Sequence, residues 1–318
     1  MDKNVNKSSC LISILVVSWN TRELIGKCIS SIYEFLPKQV EFETIIVDNA
    51  SSDGTCDFVS TNFPEVQLIE NQENMGFAQA VNQAAAVSSG RYLLLLNSDA
   101  MFIDSSLLTL FNVMESDPSI GVLSGRMIST GNREVMACFG FPSILSLIKD
   151  YSIDLIRKSG KGVRGKQRRS VLLKDGQTGC EVDWISGAYL LVRRNVFDGD
   201  EPLDRRIFMY FEDTLLCKNA WDRGLRVIIL DAAKIYHEGG ASAKKVTNVK
   251  AMYGYKSSRI YVEEMFGRRA LWWYERIIRI VWYLLIPALF IPKVLGFHET
   301  ALEKQAIFKS LISVPTTT

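Results

Sequence analysis

The chain has 318 residues, of which 47% are hydrophobic, and its formal net charge is +2. This hydrophobic content supports a sizeable core and excludes a largely disordered chain. The near-neutral charge predicts no nucleic-acid partner, and the length allows either two compact units or one large α/β domain with an appendage.

Cysteine usage and the N-terminus bear on the compartment. No two cysteines form a CxxC pair, so we expect reduced thiols of a cytosolic protein. Zinc is disfavoured because thiolate pairs at ligand spacing are missing and only two histidines are present. Residues 1–10 are expected to be flexible, and they lack the apolar core of a signal peptide. The cysteines are Cys10, Cys28, Cys56, Cys138, Cys180 and Cys217.

The first hundred residues alternate between strand and helix patterns. Apolar runs predict strands at residues 11–17, 42–47, 66–70 and 92–96. Helices are predicted after an N-cap at Thr21, from about Cys56, and over residues 77–88. This alternation is typical of a parallel, doubly wound sheet.

Two common nucleotide-binding motifs are missing from this sheet. The first strand is followed by Ser-Trp-Asn-Thr-Arg-Glu, not by the GxGxxG of a nicotinamide oxidoreductase, and no GxxxxGK[ST] occurs. Polar residues do follow the predicted strands, as in Asn97-Ser98-Asp99. Ligands of open α/β sheets bind beyond the carboxyl ends of strands, where a carboxylate can hold a divalent cation against phosphate. Taken alone, the triplet is better explained as an ordinary polar turn.

Several loops together resemble the family-two inverting glycosyltransferases, and most closely their bacterial rhamnosyltransferase branch. The resemblance covers roughly residues 11–267 and implies an α/β GT-A fold, a doubly wound mixed sheet flanked by helices. It implies a domain at residues 11–245, with a nucleotide-binding half (11–100) and an acceptor half (101–245). The matching segments are Ser18-Trp19-Asn20, residues 47–55, Asn74-Met75-Gly76-Phe77-Ala78 with Asn82, and Leu96-Asn97-Ser98-Asp99.

The resemblance assigns donor and metal roles to several of these residues. In the family, the aspartate after the second strand reads the base, which implies that Asp48 accepts the N–H of uracil or thymine. Asp99 matches the metal-bridging aspartate of a DxD motif, but the first position is Asn97, which favours ribose or water-mediated contacts. His237 matches a metal-ligating histidine, and imidazole with carboxylate suits Mn²⁺ or Mg²⁺. Other implied donor-binding residues are Ser18, Asn20, Asn49, Asn74, Gly76, Asn82, Ser98 and Trp184.

The second half contains a further aromatic and acidic motif. Helices are predicted at residues 107–114 and 214–223, and strands at residues 120–123, 189–192, 227–230 and 233–237. Trp184 offers a flat face for a sugar ring, or else is a core tryptophan. Glu212 and Asp213 precede a helix, whose N-terminus favours anions. The resemblance implies that Asp213 is the general base and that Glu212 orients the acceptor or the base. An aspartate common two residues later in the branch is Leu215 here.

The C-terminal region, residues 246–318, is predicted to be helical and membrane-associated. Helices are expected at residues 251–266 and 277–297, interrupted at Pro287 and Pro292. The uncharged part, residues 280–292, would be about 20 Å long, short of the roughly 30 Å bilayer core. Interfacial or re-entrant attachment is therefore expected, and flanking tryptophans and arginines favour the cytoplasmic side; an oligomer interface is the alternative. The basic run at residues 157–169 is either a solvated loop or a contact for lipid or diphosphate.

These expectations combine into one function with stated alternatives. The chain is expected to transfer L-rhamnose from dTDP-rhamnose, or a sugar from a UDP donor, to a saccharide hydroxyl in cell-surface polysaccharide synthesis, such as that of lipopolysaccharide O-antigen. The acceptor is expected to be linked to polyprenyl diphosphate, and the enzyme to attach to the inner face of the cell membrane. Whether the chain forms a homo-oligomer is left open. The alternative is a non-catalytic, nucleotide-sugar-binding membrane scaffold, motivated by Asn97 and Leu215.

Overall fold

A computed structural model describes residues 11–36, 40–131, 133–135, 137–151, 169–197, 202–238 and 247–289. The chain divides into two compact units, of which the first comprises Met1–Gly140, Lys166–Arg205 and Glu212–Ser242. The second comprises Phe141–Gly165, Arg206–Phe211 and Ala243–Thr318. The domain boundary expected near residue 245 stays a prediction. The expected flexible N-terminus and residues 157–168 of the basic run lie outside the described residues.

Within the described residues, the first unit contains an 11-stranded mixed sheet and a separate two-stranded sheet. The two-stranded sheet pairs β8 (Cys138–Phe139) with β11 (Trp184–Ile185). The large sheet consists of β1 (Ile12–Ser18), β2 (Phe42–Asp48), β3 (Gln67–Glu70), β4 (Tyr92–Asn97), β5 (Ala100–Met101), β6 (Ile120–Ser129), β7 (Arg133–Val135), β9 (Arg169–Leu172), β10 (Thr178–Glu181), β12 (Tyr189–Arg193) and β13 (Arg226–His237).

Helices accompany both units. The first unit holds α1 (Arg22–Phe35), α2 (Thr55–Asn62), α3 (Phe77–Val87), α4 (Ser106–Ser116) and α6 (Glu212–Asp222), with a 3₁₀ turn at Arg194–Phe197. The second unit holds α5 (Ile144–Lys149), α7 (Thr247–Phe266) and α8 (Arg268–Leu289). None of the helices in the described part of the chain is both long and apolar enough to cross a bilayer.

The order of strands confirms the predicted doubly wound, mixed sheet. The large sheet runs β3-β2-β1-β4-β12-β6-β13-β10-β9. Its first four strands are parallel, whereas β12 is antiparallel to both β4 and β6. Ser18 pairs with Asp48 and Val17 with Asn97, so three parallel strands end at one edge. The loops that follow β1, β2 and β4 therefore meet there.

The core explains why the apolar runs form strands. Residues 92–96 of β4 are each at most 1% exposed, which confirms the prediction of a strand buried on both faces. The inner face of α1 is fully buried at Ile25, Cys28, Ile29 and Ile32. As predicted, Thr21 is the N-cap of α1, but it makes no capping hydrogen bond through its buried hydroxyl. Its backbone carbonyl instead accepts the N–H groups of the first turn.

Two strands are longer than their sequence patterns indicate. β6 extends past residue 123 to Ser129, and β13 runs continuously where two strands were predicted. The two lie side by side in parallel, with a register shift between Leu230 and Lys234. A Cβ on Gly125 would lie 2.6 Å from the carbonyl oxygen of Ala233, so glycine permits this close approach.

The helices of the second unit also differ from their prediction. α8 begins at Arg268 instead of residue 277, and it continues to Leu289, so the interruption expected at Pro287 is not seen. Gly267 separates α7 from α8 and has a φ of +84°, a left-handed conformation that favours glycine. The inner face of α8 is almost completely buried at Leu271, Tyr274, Ile278 and Trp282.

Candidate functional site

The carboxylate of Asp48 joins the loops that follow β1 and β2. Ser18 Oγ donates to Asp48 Oδ2 at 2.7 Å, and Ser51 donates through its N–H at 2.7 Å and its hydroxyl at 2.6 Å. Asp48 is only 1% exposed. Burial, followed by the Asp48 carboxylate, raises the pKa of the Cys56 thiol to about 12. A nucleotide base that donated an N–H to Asp48 would therefore bind a carboxylate whose hydrogen bonds already hold both loops in place.

Asn20 and Ala50 hold these loops in an unusual backbone conformation. Their φ angles are +52° and +61°, in the left-handed region that few non-glycine residues adopt. The Asn20 N–H donates to Ser51 Oγ at 2.7 Å, and Asn20 Oδ1 accepts from the Ser52 N–H at 2.8 Å. Such strain persists only where the surroundings enforce it, and it concentrates at functional sites.

Asparagines connect β2 to the start of α3. Asn49 donates from Nδ2 to the Gly76 carbonyl at 3.1 Å, and the Gly76 N–H donates to Asn74 Oδ1 at 3.0 Å. Asn71 was not singled out from the sequence, yet its Nδ2 donates to Asn49 Oδ1 at 2.9 Å. Gly76 has a φ of +84°, which explains why glycine stands there. The structure thus brings three predicted donor-binding residues together: Asn49, Asn74 and Gly76.

Asn82 has a contact that the sequence did not indicate. Its Nδ2 donates to the Leu203 carbonyl at 2.7 Å, and its Oδ1 accepts from the Leu203 N–H at 3.0 Å. Gln79, one turn earlier in α3, donates to the Arg205 carbonyl at 3.2 Å. These bonds fasten the segment around residue 203 to α3, and the donor-binding role of Asn82 stays a prediction.

Asp99 and His237 lie in contact, as predicted for a metal-ligating pair. Asp99 Oδ1 is 3.1 Å from His237 Nε2, and their side chains are 9% and 13% exposed. Pairing of β5 with β13 sets His237 opposite Ala100, the neighbour of Asp99. Asn97 Nδ2 lies 3.5 Å from His237 Nε2, and Ser98 is buried in the turn between Asn97 and Asp99.

The geometry of this pair fits a divalent cation. Adjacent ligands of an octahedral ion with bonds near 2.1 Å are about 3 Å apart, which matches the carboxylate–imidazole separation. Among the described residues, no group of three or more His, Cys, Asp or Glu could hold a metal. An ion at Asp99 and His237 would therefore take further ligands from substrate oxygens and water, as Mg²⁺ commonly does.

Asp213 is held by two backbone N–H groups. Gly187 donates to Oδ2 at 2.9 Å, and Thr214 donates to Oδ1 at 2.7 Å. Burial raises the pKa of the Asp213 carboxyl above its usual range, although these hydrogen bonds act in the opposite direction. A carboxylate with a raised pKa binds a proton more readily, which suits a general base. Glu212 precedes it as the first residue of α6 and is 7% exposed.

The backbone that leads to these carboxylates is strained. Tyr210 and Phe211 have φ angles of +73° and +72°, which are unfavourable for bulky residues. Two consecutive residues of this kind fix the direction in which the chain enters α6. No sequence signal indicated this strain, because both aromatic residues fit an ordinary apolar run.

Strand pairing connects the Asp213 carboxylate to the residues after β4. The Asn97 N–H donates to the Ala188 carbonyl at 3.1 Å, and Ala188 directly follows the Gly187 that holds Asp213. Leu96 pairs with Tyr189 in the antiparallel ladder of β4 and β12. The candidate base and the Asp99 turn are thus both anchored at the same end of the β4–β12 ladder.

Trp184 is partly exposed and stacks on another aromatic residue. Its ring lies 4.7 Å from that of Phe139 at an interplanar angle of 27°, and its Nε1 donates to the Gly140 carbonyl at 3.0 Å. Both rings come from the two-stranded sheet of β8 and β11. One face of Trp184 is therefore covered by protein, so a sugar ring could use only the other face. Phe139 was missed because residues 127–150 show no clear periodicity.

Comparisons with known proteins agree with this arrangement. Residues 13–142 match the family described as Glycosyl transferase family 2. The N-acetylglucosaminyl-diphospho-decaprenol L-rhamnosyltransferase of Mycobacterium tuberculosis is 26% identical over 247 residues, covering 72% of this chain and 76% of that protein. A poly(ribitol-phosphate) beta-glucosyltransferase of Bacillus spizizenii is 31% identical over 122 residues, covering 36% of this chain and 19% of that protein.

Solved structures share the fold at low sequence identity. A mannosyltransferase from Pyrobaculum calidifontis, in complex with GDP-Man and Mn²⁺, has a TM-score of 0.51 at 16% identity, covering 95% of this chain and 84% of that one. S. aureus TarS 1-349, in complex with UDP-GlcNAc, has a TM-score of 0.53 at 18% identity, covering 95% of this chain and 79% of that one. These likenesses confirm the predicted GT-A-like α/β fold. The match over residues 13–142 indicates a glycosyltransferase of family 2, and the chain is similar to the rhamnosyltransferase of Mycobacterium tuberculosis.

Proposed function

We propose that the enzyme transfers L-rhamnose from dTDP-rhamnose, with inversion, to a hydroxyl of a saccharide acceptor in cell-surface polysaccharide synthesis. The observation that carries the proposal is the Asp99–His237 contact at the edge where the nucleotide-binding strands end. Rhamnose is supported by the name of the Mycobacterium tuberculosis relative, which is 26% identical to this chain.

The donor would be recognised by the loops that follow β1, β2 and β4. Asp48 accepts the N–H of thymine, while Ser18 and Asn20 hold its loop in place through the contacts described above. Asp99 and His237 would hold Mn²⁺ or Mg²⁺, and the positive charge of that ion would stabilise the departing nucleoside diphosphate. The remaining predicted donor-binding residues are Asn49, Asn74, Gly76, Asn82, Asn97, Ser98 and Trp184.

Asp213 would perform the proton transfer of a single displacement. One of its carboxylate oxygens removes the proton from the acceptor hydroxyl as that oxygen bonds to the anomeric carbon. The bond between the anomeric carbon and the diphosphate oxygen breaks, and the electron pair leaves with the diphosphate. Attack from the opposite side inverts the anomeric centre. Glu212, next to Asp213, orients the acceptor or the base.

The acceptor is proposed to be a saccharide on polyprenyl diphosphate, used at the inner face of the cell membrane. The support is again the relative's name, which specifies a diphospho-decaprenol substrate for that protein. Asn97 and Leu215 depart from the family pattern, and a non-catalytic binding scaffold is the alternative that they motivate. Asp99, Glu212, Asp213 and His237 match the family pattern, and their presence favours catalysis over a scaffold.

A donor screen tests this proposal. The full-length protein is incubated with Mn²⁺, a short-chain polyprenyl-diphospho-N-acetylglucosamine and, in turn, dTDP-rhamnose, UDP-glucose and UDP-N-acetylglucosamine. Mass spectrometry should detect a deoxyhexose added only from dTDP-rhamnose. Transfer from a UDP-sugar alone would replace the proposed donor, because Asp48 can accept the N–H of uracil as well as that of thymine. Binding of nucleotide sugars without transfer or hydrolysis would favour the scaffold.

A further inference from the structure

Within the part of the chain that the structure describes, helix α8 has one apolar face that packs against protein and another that is exposed. The inward face, formed by Leu271, Tyr274, Ile278 and Trp282, is almost completely buried. The opposite face carries a row that we name the outer stripe: Trp273, Ile277, Ile280 and Leu284. These residues are spaced by four, three and four positions, so they lie along one side of the helix. Their exposed fractions range from 39% to 72%.

Arginines flank the outer stripe, whereas the one glutamate of α8 is buried away from it. α8 contains four arginines and one glutamate. Arg268, Arg269 and Arg276 are exposed, and the Arg276 guanidinium lies 4.2 Å from the ring centre of Trp272. The single carboxylate, Glu275, is 1% exposed and accepts a hydrogen bond of 2.6 Å from Arg259 Nε. The exposed side of α8 is therefore apolar and cationic, without a described carboxylate of its own.

From this arrangement we infer that the outer stripe docks on an anionic lipid surface with α8 lying in the membrane plane. The helix is about 33 Å long, so lying flat it presents the whole stripe to the boundary between headgroups and acyl chains. Tryptophans at 272 and 273 suit that boundary, and arginines beside them stay with anionic phosphates. A second copy of this chain fits less well, because the same arginines would then face each other across a symmetric contact.

The inference deepens the proposed function by assigning the surface that holds the enzyme near a lipid-linked acceptor. The biological role of this docking rests on the proposed lipid-linked acceptor. Lipid binding itself does not, because it can be measured without any sugar transfer. The two claims can therefore fail separately. Transfer to a water-soluble acceptor tests the reaction, and vesicle binding tests the stripe.

The experiment compares two leucines of almost equal exposure in the full-length protein. Leu284 in the stripe is 72% exposed, and Leu172 at the edge strand β9 is 74% exposed. Leu284→Glu should weaken binding to vesicles of phosphatidylcholine and phosphatidylglycerol at least about tenfold, because a leucine that enters the lipid is replaced by a charge. Leu172→Glu should leave binding unchanged. Both variants are expected to fold, since neither side chain packs in the core, and their thermal unfolding verifies this.

The charge requirement is tested by a second variant. Arg269→Gln with Arg276→Gln should weaken binding to the anionic vesicles about 25-fold, at roughly fivefold for each arginine, and pure phosphatidylcholine should bind weakly in every case. Donor hydrolysis should be unchanged in all variants. Wild-type binding by Leu284→Glu would overturn the inference. The inference would also be overturned if Leu284→Glu lowered the oligomeric mass while vesicle binding stayed complete. The outer stripe would then be an interface between copies of the chain.

Discussion

The backbone N–H of Gly187 donates a hydrogen bond of 2.9 Å to Oδ2 of Asp213. Gly187 precedes β12, and β12 pairs with β4, so the position of Asp213 follows from a contact between two central strands. A Cβ on residue 187 would lie 3.4 Å from the Asp213 Cβ, which leaves little room for a larger side chain. With Thr214 donating to Oδ1, backbone N–H groups hold both oxygens of the carboxylate.

Replacing Asp213 tests its role as the base. Asp213→Asn should lower turnover by about 10²-fold or more while donor affinity is retained, because the amide cannot accept the acceptor proton. Steady-state kinetics and donor binding by calorimetry give the two values. Asp222→Asn, an exposed position at the end of α6, serves as the control. Loss of donor affinity as large as the loss of turnover would instead indicate a role in donor binding.

The pH dependence of activity should reflect the raised pKa of Asp213. The base works only when deprotonated, so turnover should fall with decreasing pH at a midpoint above the ordinary aspartate value of about 3.9. Rates measured from about pH 4 to 8 in mixed buffers locate this midpoint. A profile that stays flat down to the ordinary aspartate range would contradict the assignment.

The same shift has a consequence for stability. Because the folded pKa of Asp213 is raised, the folded protein binds this proton more tightly than the unfolded chain. Wild-type stability should therefore fall, relative to Asp213→Asn, as pH rises from about 3.9 through the folded pKa, and then level off. Urea unfolding of both proteins at several pH values measures the difference. A difference that grows in favour of wild type over this range would have the wrong sign.

Metal removal tests the Asp99–His237 pair. EDTA should abolish transfer, and Mn²⁺ or Mg²⁺ should restore it. Asp99→Ala and His237→Ala should each raise the metal concentration needed for half-maximal activity, by about tenfold or more, because each removes a direct ligand. Asp57→Ala, which removes an exposed carboxylate on α2, should have no effect. Full activity of wild type in EDTA would exclude a metal role for both residues.

Two glycines with similar φ angles allow an effect on donor binding to be distinguished from an effect on stability. Gly76 has a φ of +84° within the asparagine network, and Gly131 has a φ of +77° at a turn where an added Cβ would meet no atom within 4 Å. Either substitution by alanine should cost about 1–3 kcal/mol in unfolding free energy, since alanine disfavours a positive φ. Only Gly76→Ala should also weaken donor binding. Equal donor affinity in both variants would remove Gly76 from the donor site.

The strands and loops of residues 11–100 were predicted well from the sequence because their signals are local. The run at residues 92–96 is apolar throughout and forms a central buried strand, and the polar loops follow the predicted strands. The fold and the pairing of Asp99 with His237 agree with the resemblance, since the order of motifs along the chain carries that information.

What the sequence did not show depends on contacts between distant segments. The bond between Asn82 and Leu203 and the stacking of Phe139 on Trp184 require the folded sheet, and neither leaves a periodic pattern. The continuity of β13 depends on its neighbour β6, because residues 231 and 232 alone were predicted to interrupt the strand. The start of α8 at Arg268 was not predicted, because in the sequence the first residues of its buried face stand among arginines and tryptophans.

The anomeric configuration of the product tests the central claim most directly. The full-length protein is supplied with Mn²⁺, dTDP-rhamnose and an N-acetylglucosaminyl acceptor, and the new linkage is analysed by NMR. A single displacement assisted by Asp213 predicts a rhamnosyl linkage whose anomeric configuration is opposite to that of the donor. A rhamnosyl product that keeps the donor configuration would contradict the account.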